Sequence, residues 1–132
     1  MTYETLLDEA IGAGLDVREK SLQSADGLQV GRRIAIRKDI ETSSRKMCVL
    51  AEEIGHYMTS AGNILDQSDL NNAKQERRAR VWAFNRIIPI ERIIDAASKG
   101  YTQVYEMAEY LDVDEEFLRD GLAYHGILDI SL

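Results

Sequence analysis

The spacing of apolar residues changes period along the chain, and each change marks an element. From Thr2 to Ala13 the apolar positions are Tyr3, Leu6, Leu7, Ala10 and Ile11, the spacing of a helix with one buried face, and Gly14 follows as a C-terminal cap. From Leu15 the period shortens. Leu15 and Val17 alternate with charges, Asp26-Gly27 is a turn signal, and VGRRIAIR (30–37) alternates Ile34 and Ile36 with polar or small neighbours, so a small antiparallel sheet is expected. Helical spacing returns after Glu41–Ser44, which offers caps, and continues to about Ser60, with Met47, Leu50, Ala51, Ile54 and Met58 as one apolar stripe facing the sheet. GNILDQSDLNN (62–72) has loop composition, a second helix is expected from about Ala73 to Ile88, and the single proline, Pro89, separates it from the next. Helices are further expected over 90–99, 104–111 and 114–124, the last capped by Asp114. The expected fold class is α+β: a small antiparallel sheet packed on a helix pair, followed by a helical C-terminal part. The expected organisation is one domain over 1–132, with sheet and helix pair in 1–88 and a helical extension in 89–132.

Composition narrows the function classes. At 132 residues the chain has one domain's length, and no apolar run approaches the ~18 residues of a membrane span. The opening MTYETLLDEA lacks a basic stretch followed by an apolar one, so a cytoplasmic location without a membrane partner is expected. A net charge of −7 opposes broad binding to phosphate backbones, and no direct nucleic-acid contact is expected. The local basic groups Arg32, Arg33, Arg37, Lys38 and Arg77, Arg78, Arg80 read as surface or partner contacts. Cys48 is the single cysteine, so a metal site in this chain must draw on histidine and carboxylates.

The chemistry concentrates in CVLAEEIGHYMTS (48–60), where Glu52 and His56 are one helical turn apart and Glu53 lies between them. In HExxH helices two histidines at this spacing hold zinc while the glutamate works on the attacking water. Here the first position is Glu52. The stretch is therefore either a polar helix face or a metal helix with one substituted ligand. In the second helix Glu76 heads a stripe of Ala79, Ala83 and Ile87, small and apolar residues that admit close approach of another helix. A carboxylate there needs a partner. Arg80, one turn on, offers one; the alternative is that Glu76 reaches the His56 helix, giving a Glu52, His56, Glu76 site with one position open for water.

With RIAIRKDI (33–40), LAEEIGHY (50–57), ERRARVWAF (76–84), IIPIERII (87–94) and MAEYLDVDEEFL (107–118) in this order and spacing, the sequence resembles the ImmA/IrrE family of metallo-endopeptidases, its short phage-type members above all. The resemblance implies a zincin-like helix pair, with Glu53 as the catalytic glutamate, His56 as a histidine ligand and Glu76 as the acidic ligand of one divalent metal, zinc. Glu52 departs from the family pattern, which has histidine there. A second carboxylate ligand would reduce the positive charge felt by the bound water and leave it less acidic. The implied substrate is a protein, a helix-turn-helix repressor of the same phage or mobile element. The competing reading is a catalytically degenerate member that binds such a repressor without cutting it.

Other residues carry weaker signals. Cys48, one turn before Glu52, is either near the metal or a small packed residue; His125 and Tyr124 are either oxyanion donors or packing groups. Strand 33–37 is a candidate edge for an extended substrate. Residues 104–124 have helix-turn-helix spacing, but Glu106, Glu109, Asp112, Asp114, Glu115, Glu116 and Asp120 face only Arg119, so the segment reads as a packing or protein-docking module.

Overall fold

The short-period segment forms three strands, β1 (Asp16–Lys20), β2 (Gly27–Val30) and β3 (Arg33–Arg37), in a computed structural model that describes residues 1–60 and 69–130. Helix α1 (Tyr3–Gly12) precedes them, and α2 (Ser43–Thr59), α3 (Asp69–Ile87), α4 (Ile90–Ser98), α5 (Val104–Leu111) and α6 (Glu115–Tyr124) follow. The fold class is α+β, as the periodicity predicts. The sheet is mixed, however, with order β1-β3-β2: β2 pairs antiparallel with β3, while β1 runs parallel to it from Asp16↔Arg33 to Lys20↔Arg37. A period of two identifies a strand's faces but not its neighbours' directions. The central place goes to β3 because Ile34 and Ile36 are its most buried residues, and both sides of this strand are covered by partners. The expectation that strand 33–37 offers a free substrate edge is thereby overturned. The edge beside the later site is β2.

Helix α2 begins where Thr42, in extended conformation, accepts a hydrogen bond from the Arg45 amide through its side chain at 3.2 Å. Its stripe of Met47, Leu50, Ala51 and Ile54 is buried against the sheet and α1, whereas Met58 lies beyond the core and is exposed. Cys48 and Gly55 are buried as well, so α2 is covered on more than one side. The second helix starts at Asp69 rather than near Ala73, because Asp and Asn suit a helix's first turn as well as they suit a loop. The loop expected over 62–68 lies outside the described residues. Pro89 ends α3 and stands at the N-cap of α4.

Helix α3 lies on α2 through Ala79 and Ala83, both fully buried, and its far end carries Phe84, Ile87 and Ile88 into the core shared with Ile93, Met107, Leu111, Phe117 and Leu118. Asp114 caps α6 through the Phe117 amide at 3.3 Å and also meets Arg45 Nη1 at 3.3 Å. Arg45 Nη2 in turn lies 2.8 Å from Asp26, which Arg37 holds at 2.6 Å. This chain of ion pairs ties the start of β2, the end of β3, the first turn of α2 and the cap of α6 into one corner. Burial of Arg45 is opposed by Asp26, whose hydrogen bond raises the guanidinium's pKa above its ordinary value.

Helices α2 and α3 come to backbone contact at Gly55. A Cβ there would overlap the Ala79 carbonyl oxygen and stand 3.0 Å from Ala79 Cα, both backbone atoms that move only with the helix. At Gly121 the overlap is with Ile88 Cδ1, the end of a flexible side chain. Alanine normally favours a helix interior over glycine by roughly 1 kcal/mol. We expect Gly55→Ala to lose about 2–4 kcal/mol nonetheless, as overpacked cores do, and Gly121→Ala to lose clearly less. Urea unfolding of both variants measures the order, and equal losses would show that the α2–α3 approach is not the tighter constraint.

Candidate active site

Because Gly55 lets α3 come to backbone contact, the next residue, His56, faces the turn of α3 that precedes Ala79. Its Nε2 lies 3.1 Å from Glu76 Oε1. The two chains' surroundings differ: the His56 side chain is 18% exposed and that of Glu76 64%, so the carboxylate reaches in from the rim. Glu52, one turn before His56, turns to a different partner. Its Oε1 is 3.4 Å from Nε of Arg80, whose Nη2 meets Asp120 of α6 at 2.8 Å and whose guanidinium carbon stands 5.5 Å from the centre of the Phe84 ring. Arg80 therefore serves Glu52 and Asp120, not Glu76, the partner that spacing along one helix suggests.

Glu53 points to the other side, beneath β2. A Cβ on Gly27 would come within 2.6 Å of Glu53 Oε2 and 2.8 Å of Val49 Cγ1, so the strand's backbone passes over this carboxylate only because residue 27 has no side chain. Glu52, Glu53, His56, Glu76 and Arg80 line one open cleft of about 1050 Å³, walled by β2, by the polar side of α2, by α3 at Gln75, and by Asp114, Glu116 and Phe117. Burial pushes the Glu53 carboxyl up to about 7, and the charges of Glu76 and Glu52 add to the rise. Burial also raises Glu52, aided by Glu76 and opposed first by Arg80 and then by His56. The polar side of α2 is thus half-buried and crowded with carboxylates, unlike a solvated helix face.

Cys48 is buried and its thiol is pushed up to about 12, chiefly by burial, so it stays protonated at neutral pH and behaves as a packed residue at the cleft wall. His125 is remote from the cleft: Nε2 lies 2.9 Å from the Ile88 carbonyl and the ring packs on Tyr124 at 4.9 Å. Sequence reasoning missed the opposition of Arg80 to Glu52, the role of Gly27 and the role of Gly55. The last was accessible: a glycine beside His56 and alanines following Glu76 are the two halves of one close contact.

The donor types present, one imidazole and several carboxylates, suit a divalent cation. Among the described residues no three His, Cys, Asp or Glu side chains converge on a common point in this conformation. His56 and Glu76 already meet, while Glu52, the third donor proposed from sequence, is engaged with Arg80. In donor type these residues fit a divalent metal, and in this conformation Arg80 holds the third of them.

A helix pair carrying an EExxH sequence on one member and a glutamate on the other, laid against a small sheet, has the layout of a zincin-like metallopeptidase. Residues 12–122 match the family model of the IrrE N-terminal-like domain, peptidase family M78, and the chain belongs to this ImmA/IrrE family. No curated protein shows a significant match to the chain. Family membership supports a metallopeptidase-like protein and a divalent metal.

Glu53 yields a pH prediction. Its folded-state pKa lies above that of the unfolded chain, so the folded state holds the proton more tightly and stability falls as pH rises from about 4.5 through about 7. In the presence of chelator, Glu53→Gln should remove that fall and gain about 1–2 kcal/mol over the natural protein at pH 8, allowing for the water that still reaches the cleft. Urea unfolding at pH 5 and pH 8 tests it; parallel losses of stability in both proteins would mean that Glu53 does not titrate in this range.

Proposed function

We propose that the chain is a metal-dependent endopeptidase acting on a protein substrate. The observation that carries this reading is the sharing of one cleft by Glu53, a carboxyl raised to about 7, and the touching pair His56 and Glu76. A general base works best with a pKa near the operating pH, and burial has brought Glu53 to that range. In this reading His56, Glu76 and Glu52 hold one divalent metal, zinc. When bound, the metal would polarise the scissile carbonyl and make the attacking water more acidic. Glu53 takes the proton from that water and delivers it to the leaving amine. The substrate lies extended along β2, which has β3 on one side and borders the cleft, and which exposes Leu28 and Val30. By family resemblance the substrate is a helix-turn-helix repressor of the same phage or mobile element, met in the cytoplasm. Across 1–132 the C-terminal helices act in this reading as part of the same domain, closing one end of the cleft.

A second reading has one observation in its favour. Arg80 already neutralises Glu52, as would suit a member that binds a repressor without cutting it. Mixing the zinc-loaded protein with the repressor encoded beside it, followed by mass spectrometry, separates the two. Fragments are expected, with Glu53→Ala lowering their rate by at least about 100-fold, in the range general-base removal costs. A stable complex without fragments, unaltered by that substitution, would establish binding alone.

A further inference from the structure

We propose that Arg80 is a built-in cation that competes with the metal for Glu52, and that Asp120 sets the outcome by giving Arg80 a second seat. The inference rests on the metal reading above and concerns how this chain regulates access to its own ligand. It accounts for a residue that the catalytic reading leaves unused. Glu76 and Arg80 are one turn apart on α3, and both lean toward α2, where Glu76 meets His56 and Arg80 meets Glu52. A dication gathered by these carboxylates and His56 would therefore stand beside a fixed positive charge that already holds one of its donors. Like charges a few ångströms apart repel even in a partly solvated cleft, so Arg80 must release Glu52 for that carboxylate to ligate.

The present seat of Arg80 is an incomplete one. Its Nε is sealed from solvent and, although 3.4 Å from Glu52 Oε1, is not aligned for a hydrogen bond, so it lacks an acceptor among the described residues. A buried donor left in this way costs stability, which lowers the barrier to giving the seat up. The opposite end of the guanidinium is better held: Nη2 meets Asp120 Oδ2 at 2.8 Å, and the Phe84 ring lies beneath. Retreat toward Asp120 leaves Arg80 paired with one carboxylate and stacked on one ring. Arg80 is thus a positioning residue. It holds Glu52 in the metal-free cleft, and on retreat it links metal loading to the seating of α6.

Zinc alone is the probe, titrated calorimetrically at pH 8 into the full chain, with far-ultraviolet circular dichroism as the check on folding. Arg80→Gln removes the competing charge and should tighten zinc binding by about tenfold. Arg80→Lys, which keeps the charge, should stay near the natural affinity. Asp120→Asn withdraws the second seat and should weaken binding by a factor of about three to ten, the opposite direction, which loss of packing does not produce. His56→Ala defines the site. Zinc binding that depends on His56 but is equal in the natural protein, Arg80→Gln and Asp120→Asn overturns the competition and leaves the metal reading standing. Binding that appears only in Arg80→Gln supports the competition while ending the peptidase reading for the natural chain. No binding in any of them overturns both.

Discussion

The backbone contact between Gly55 and Ala79 is the constraint on which the rest of the site depends. Two helices ordinarily pack with axes 8–10 Å apart, and the lower end of that range requires small residues at the crossing. Glycine on α2 and alanine on α3 provide this, and the positions beside the crossing inherit its geometry: His56 follows Gly55, and Glu76 precedes Ala79 by one turn. The 3.1 Å separation of their polar atoms is a consequence of where the helices cross. A larger residue at 55 would displace α3 bodily and carry Glu76 and Arg80 away together. The sheet fixes the opposite wall in the same manner, because Gly27 allows the β2 backbone to lie directly over Glu53.

Close packing creates an electrostatic problem that the protein solves locally. Glu52, Glu53 and Glu76 stand along one cleft; burial makes Glu52 and Glu53 costly to ionise, Glu76 adds to the cost for both, and Glu52 adds to it for Glu53. Each carboxylate has a different answer. Glu76 stays at the rim with His56, Glu52 takes Arg80, and Glu53, which faces β2, responds by holding its proton up to about pH 7. Three chemically identical side chains are thereby made different by position alone.

The helices were legible because helical period reports burial of one face: Met47, Leu50, Ala51 and Ile54 are buried as their spacing predicts, and Asp114 and Thr42 cap as their types predict. The stripe from Glu76 through Ala79 and Ala83 was legible as a close-packing surface for the same reason. Met58 was not, since periodicity continues past the point where the core ends. Strand order lies beyond a period of two, so neither the parallel pairing of β1 nor the central place of β3 was legible. Pairing across elements was hardest. Arg80 is four residues from Glu76, which makes that pair look natural on one helix, but the crossing turns Arg80 toward Glu52 and Asp120, residues 28 and 40 positions away in the chain.

That last pairing alters how Glu52 is understood. A glutamate at this position adds a negative charge to a cleft already lined by Glu53, Glu76, Asp114 and Glu116, and without compensation its burial would cost several kcal/mol. Arg80 supplies the compensation from the facing helix. Glu52 and Arg80 therefore form one unit, and neither is intelligible alone: without Arg80, Glu52 is one more repelling carboxylate, and without Glu52, Arg80 has a buried Nε with no charge to face. Placing a histidine at position 52 while leaving Arg80 in place would leave the guanidinium without its carboxylate on α2 and set it near an imidazole instead. The consequence for any change of activity in this cleft is that position 52 and position 80 have to be considered as a pair.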